Sequence, residues 1–398
     1  MKHNKILLAV LFLGASAAGL FAQTKPAPTP TATPTALETG SDVARTVLQT
    51  KTLTVEGLPQ QALAELETAS LLMQEGRHEE SIAAHTKFIR AHPNVMIAYN
   101  NRGYSYAQLG KTDLAIEDFN TALRLSPNTL AYNNRGMAYL GLGDFQRALD
   151  DVSKAILLNP QDSLSYSNRG YIQMQAGRYE AALADQNKAV SLAPKNPIYF
   201  TNRCLTYVKL KKYEEAIKDC TAAIALDPKM AIPYGTRGAA YFEVGSLEAA
   251  LADFETAIKF DSTLVEYHVS RGYIQIRMNR NEEAVASFTQ AINLRPLAVI
   301  YLNRANAYSN LKKPELELSD YNKAIELEPN NYIAYNNRGN YYYARGDAKA
   351  ALADFNKAIE LNPKFVPGYK NRAMLYRQTG EAEKAQADEK TAQALENQ

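Results

Sequence analysis

Three histidines, His78, His85 and His92, recur every seven residues, and that regularity is the nearest approach in this chain to a metal site. Seven residues of helix rise about 10.5 Å, too far for neighbouring imidazoles to share one ion. His85 falls on a core position and His92 precedes Pro93, so structural roles are expected and no metal ligand is assigned. Paired acids at Glu79-Glu80, Glu214-Glu215 and Glu282-Glu283 stand where helices should begin. There they complement the positive end of the helix dipole instead of forming an acid–base couple. No nucleophile motif, phosphate loop or cofactor fingerprint appears, so the sequence points away from an enzyme, a cofactor or a small-molecule substrate.

The chemistry that does repeat is a cation followed by an anion. Arginines stand at Arg102, Arg135, Arg169, Arg203, Arg237, Arg271, Arg304, Arg338 and Arg372, and sixteen residues after all but one of them lies an aspartate: Asp118, Asp151, Asp185, Asp219, Asp253, Asp320, Asp354 and Asp388. Ser287 breaks the series. A guanidinium can bind such a carboxylate through two parallel hydrogen bonds, so these are read as structural ion pairs between helices. Immediately before each arginine sits a small polar residue: Asn101, Asn134, Asn168, Asn202, Thr236, Ser270, Asn303, Asn337 and Asn371. Asparagine is a poor helix-interior residue because its amide competes for backbone hydrogen bonds, so its recurrence needs a reason. An amide both donates and accepts, which suits contact with the backbone of a bound chain. Bonding between neighbouring helices is the other use open to it.

The arginines are spaced by 33 or 34 residues, which makes the chain a tandem array. The first clear copy carries Tyr99, Gly103 and Tyr106 at the spacing of one helix face, then Gly110, then Ala115, Phe119 and Ala122 on a second face, and Pro127 to close. Proline cannot continue a helix and marks the passage into the next copy. With these residues in this order, the chain resembles the tetratricopeptide repeat family. The units are read as 96–128, 129–162, 163–196, 197–230, 231–264, 265–297, 298–331, 332–365 and 366–398, with a degenerate copy at 62–95 anchored by Gly76 and Pro93. Ser262 stands where a closing proline is expected. One helical hairpin cannot bury its own apolar faces and stacking can, so the expected fold is all-α, an α-solenoid of about ten hairpins. The family implies that it winds as a right-handed superhelix.

The resemblance also implies that first helices line a concave groove, with the asparagine row looking into it. Three residues after each asparagine come Tyr104, Met137, Tyr171, Leu205, Ala239, Tyr273, Asn306, Asn340 and Met374, an adaptable apolar middle followed by polar positions. Spaced hydrophobic side chains of an extended peptide would suit such a surface. The carboxylate-clamp members of the family use basic groove residues where this chain has Asn100, Asn133, Ser167, Thr201, Gly235, Val269, Leu302 and Asn336, with Lys370 alone basic. Capture of a free C-terminus is therefore disfavoured. The two cysteines, Cys204 and Cys220, fall on family positions that face each other, where either a disulfide or two small core thiols would fit.

Before the array, Met1 to Lys5 is basic, Ile6 to Leu13 apolar and Gly14 to Ala18 small, the three parts of a secretory signal over residues 1–22. Ala15-Ser16-Ala17 fits a cut after residue 17. An uncleaved anchor is the alternative, and membrane contact is expected only in that case. Residues 23–61, rich in Pro, Thr and Ala over Lys25 to Gly40, read as a disordered linker. Loss of residues 1–22 removes Lys2 and Lys5 and no acid, leaving 42 of 44 basic residues against 42 acidic ones. A neutral chain without a basic, aromatic-interleaved block does not suit nucleic acid. The whole reads as an exported protein, periplasmic, envelope-bound or secreted, that binds other proteins or peptides in an asparagine-lined groove. The alternatives are an assembly factor docking folded partners through its convex face or helix edges, and a regulatory subunit of a partner enzyme.

Overall fold

The computed structural model describes residues 57–397. The expected signal segment and all but the last residues of the expected linker lie outside that range. Twenty helices make up the described residues, without a strand among them. No described helix is long and apolar enough to cross a membrane.

The described residues divide into two compact units between Ala240 and Tyr241. Residues 57–240 hold five hairpins, Gln60–Gln74 with His78–Ala91, Met96–Gln108 with Thr112–Leu125, Thr129–Gly141 with Phe145–Leu158, Ser163–Gln175 with Tyr179–Leu192, and Pro197–Lys209 with Tyr213–Leu226. The helix Ala231–Glu243 begins in this unit. Residues 241–397 contain Leu247–Phe260 and then four hairpins: Val265–Arg277 with Asn281–Leu294, Ala298–Asn310 with Pro314–Leu327, Tyr332–Ala344 with Ala348–Leu361, and Val366–Gln378 with Ala382–Glu396. From Gln60–Gln74 to Tyr213–Leu226 and from Leu247–Phe260 to Ala382–Glu396 each helix packs on the next in sequence, and most successive first helices touch, as Met96–Gln108 touches Thr129–Gly141. Each unit is thus an all-α solenoid of stacked hairpins.

Local chemistry sets the helix ends. Asn128 caps Thr129–Gly141 by accepting from the Ala131 amide, and Asp162 does the same for Ser165. Asn196 caps a helix whose first residue, Pro197, has no amide hydrogen to satisfy. The turns inside the hairpins need one left-handed residue, supplied by Gly110 at φ 71° in one copy and by Lys211, Asn279 and Lys312 at φ 57°, 59° and 55° in others.

Packing follows from size matching. A Cβ on Gly339 would stand 2.6 Å from the Phe355 ring, so that ring closes over bare backbone. The pairing of Gly103 with Phe119 is of the same kind, and Ala115 and Ala138 complete its buried cluster. Farther on, Phe288 lies among Ala284, Ala291, Ile300 and Ala307. Each such cluster takes residues from more than one hairpin, so a hairpin removed from its neighbours would expose apolar surface.

Candidate functional site

The arginines and aspartates form forks. Arg102 donates from Nε to Asp118 Oδ2 at 2.8 Å and from Nη2 to Oδ1 at 2.7 Å. The same two-bond geometry joins Arg135 to Asp151, Arg169 to Asp185 and Arg203 to Asp219, all between 2.6 and 2.8 Å. In the second unit it joins Arg304 to Asp320, Arg338 to Asp354 and Arg372 to Asp388. The remaining nitrogen, Nη1, reaches the preceding hairpin, for example Thr86 from Arg102 and Asn120 from Arg135. Tyr99 and Tyr106 flank Arg102 at 5.7 and 5.9 Å from ring centre to guanidinium. The hydrogen bond to the carboxylate outweighs burial and holds each of these arginines above its ordinary pKa. Arg237 donates to Thr221 within its own unit, and buried Asp253 belongs to the next unit.

The asparagine row makes bonds between first helices. Asn101, Asn168 and Asn202 are only 0%, 4% and 5% exposed. Their amide hydrogens go to the preceding repeat: Asn101 to Ser70 Oγ at 3.1 Å, Asn168 to Asn133 Oδ1 at 3.4 Å and Asn202 to Ser167 Oγ at 3.1 Å. Half-buried Asn134 donates to Asn100 at 3.0 Å, and Asn371 donates to Asn336 at 2.8 Å. Asn336 in turn donates to Asn337 at 3.4 Å, while Asn303 is half-buried. These amides therefore stitch first helices together, the use between neighbouring helices that the sequence left open beside contact with a bound chain. The reason is geometric: the position before the arginine points along the stack toward the neighbouring first helix, and the carboxylate-clamp positions Asn100, Asn133, Ser167 and Asn336 are its acceptors.

Three residues on, every side chain but that of Met374 is half-buried. Tyr104 meets His78 edge-on at 6.2 Å. Tyr171 and Met137 pack against the cluster around Val152 and Ile172, and burial pushes the Tyr171 phenol up. Tyr273 meets Phe242 edge-on at 5.5 Å, and Met374 is exposed.

Cys204 and Cys220 are joined in a disulfide between the two helices of one hairpin. Of the three histidines, His85 is buried against the Ser81 carbonyl and hydroxyl, and His92 lies on Phe88 at 4.8 Å. Burial drives the His85 pKa down to about 4, and its Nε2 meets no protein partner.

Two departures from the repeat carry more chemistry than their sequence pattern suggests. Arg271 donates from Nε to Ser287 Oγ at 2.9 Å, and Ser287 donates to Gln275 Oε1 at 2.7 Å. Burial lowers this arginine's pKa, the opposite direction to the seven forked ones. Glu317 stands at the small second-helix position that holds Ala115, Ala148, Ala182 and Ala284 in other copies. It is buried, its carboxyl pushed up chiefly by desolvation, with Tyr321 at 3.5 Å and Arg345 at 3.4 Å. The Arg345 guanidinium lies 3.5 Å from the Tyr341 ring centre. The break at Ser287 is visible in the sequence; Glu317 could have been found by reading the alanine register across copies.

Models described as "Tetratricopeptide repeat" match residues 97–129, 133–197, 197–230, 265–296, 298–331, 332–365 and 355–387, together well over half of the chain. No curated protein sequence matches it. Among solved structures, YrrB, described as a repeat protein of this type with an unusual peptide-binding site, is similar at 22% identity and TM-score 0.41, over 46% of this chain and 95% of its own. A tetratricopeptide repeat protein from Parabacteroides merdae is similar at 22% identity and TM-score 0.45, over 59% of this chain and 93% of its own. PilF of Pseudomonas aeruginosa is similar at 16% identity and TM-score 0.48, over 52% and 94%.

Proposed function

The chain belongs to the tetratricopeptide repeat family, and from that premise we propose that it is a protein–protein interaction scaffold of the cell envelope that holds extended segments of other polypeptides along its first helices. The observation that carries this reading is the division of labour within those helices. Seven arginines and most of the asparagines are committed to internal bonds, whereas three residues beyond the asparagines the same helices carry the half-buried aromatic or apolar side chains of Tyr104, Met137, Leu205 and Tyr273. Such side chains present apolar contact area with a polar tip or a flexible end, suited to segments with spaced hydrophobic residues. The envelope assignment rests on the basic, apolar and small segments within residues 1–22.

Peptides selected from a random display library on the full chain, followed by affinity measurement, test the groove. Tyr104→Ala combined with Leu205→Ala should weaken the selected peptides about tenfold or more, as loss of central apolar anchors does. Leu157→Glu, at a strongly exposed second-helix position, should leave them unchanged. An affinity loss confined to Leu157→Glu would favour docking through the second-helix face, the reading appropriate to an assembly factor.

A further inference from the structure

The repeat 265–297 differs from its successor at three positions that surround one side chain. In that successor, Arg304 gives Nε and Nη2 to Asp320 and Nη1 to Thr289, and lies between Tyr301 and Tyr308 at 5.5 and 5.7 Å. Around Arg271, Ser287 replaces the aspartate, and His268 and Gln275 replace the two tyrosines. Ser287, Gln275 and His268 are 1%, 4% and 6% exposed, and the His268 ring bonds the Ser262 carbonyl through Nε2 while its Nδ1 meets no protein partner. Arg271 has its one protein hydrogen bond at Nε, so among the described residues neither terminal nitrogen has an acceptor and no carboxylate comes within ion-pair distance.

We propose that Arg271 is a receptor for one acidic side chain, Asp or Glu, of a bound polypeptide, whose carboxylate supplies the charge that Asp320 supplies to Arg304. The proposal rests on the polypeptide-binding reading above. A half-buried guanidinium with no carboxylate at bonding distance has lost hydration without recovering it in a direct pair, and an incoming carboxylate recovers that loss. The two terminal nitrogens lie in one plane and match the two oxygens of a carboxylate. Glu255 stands sixteen residues before Arg271, where Asn322 and Asn356 hold Nη1 of Arg338 and Arg372. It is exposed, and with Glu283 it acts on Arg271 through charge alone. Two nearby acids repel a doubly charged phosphate more strongly than a singly charged carboxylate, which favours the acidic side chain.

Melting of the full chain at matched ionic strength tests this with N-acetyl-aspartyl amide, N-acetyl-asparaginyl amide and inorganic phosphate as probes. The capped aspartate should raise the wild-type Tm by about 1–2 °C near saturation, and the capped asparagine should not. Ser287→Asp should raise Tm without any probe and abolish the response. Glu255→Gln should enlarge the response, because it removes the competing internal charge. An equal response in Ser287→Asp, a response to phosphate alone, or no response in either wild type or Glu255→Gln would overturn the assignment. These probes need no partner, so their failure leaves the peptide-library test of the scaffold intact. Failure of that test leaves a carboxylate response at Arg271 standing by itself.

Discussion

Asn202 passes an amide hydrogen to the Ser167 hydroxyl at 3.1 Å, although the two residues stand 35 positions apart in the chain. Both are buried, and the bond runs from one first helix to the one before it. Asn202→Ala should therefore cost about 1–3 kcal/mol, the range for a buried partner left unsatisfied. In urea unfolding, a second substitution at Ser167→Ala should add less than its own single effect. Strict additivity of the two would show that the bond carries no coupling.

The Arg169–Asp185 fork predicts a larger effect. Removal of either partner leaves a mostly buried charge uncompensated, and Arg169→Ala or Asp185→Ala should each destabilise by about 3–5 kcal/mol. The double substitution should melt close to the singles. Unchanged melting of Arg169→Ala with loss of peptide binding would instead make the arginine a ligand contact.

Reduction should loosen one hairpin. The Cys204–Cys220 bond closes a loop with sequence separation 16, and a loop of that size contributes about 3 kcal/mol through the unfolded chain. Reductant should lower Tm, and amides of 197–226 should exchange faster. Cys204→Gly with Cys220→Phe, which copies the Gly103–Phe119 packing, should recover part of the loss and remove the dependence on reductant. Thiol labelling of the unreduced, folded chain would show the bond to be absent.

His85 makes stability depend on mild acid. Its folded pKa of about 4 lies below the ordinary value of 6.5, so the unfolded chain takes up the proton first. Its contribution is complete above pH 6.5 and is lost as pH falls from there toward 4, a change on the order of 3 kcal/mol. His85→Phe, the residue type at the same register in Phe119, should flatten unfolding free energy over that window. An unchanged slope would exclude this imidazole as its source.

The solenoid was legible because its signals are redundant: glycine against an aromatic ring, alanine at the close approach and proline after the second helix recur copy after copy. Side-chain direction at the asparagines was not. A position next to the arginine is about 100° around the helix, and sequence spacing alone leaves both the groove and the neighbouring helix within that sector. What decides is the residue awaiting it on the previous helix, such as Ser70 for Asn101 or Asn133 for Asn168. Arg271 was hidden for another reason. A repeat reads as regular while its arginine persists, and the three replacements become meaningful only once the same positions are seen to hold and flank the arginine in another copy, as Asp320, Tyr301 and Tyr308 do for Arg304.

The stitching bonds use a forgiving vocabulary. An asparagine donates to serine at Ser70 and Ser167 and to asparagine at Asn100, Asn133 and Asn336. A joint written in interchangeable words lets a gene lengthen or shorten such a chain by whole copies, since a duplicated hairpin arrives with a donor for the helix behind it and an acceptor for the helix ahead. Individual copies such as 265–297 are then free to drift toward private chemistry while the joints around them stay spelled in the common alphabet.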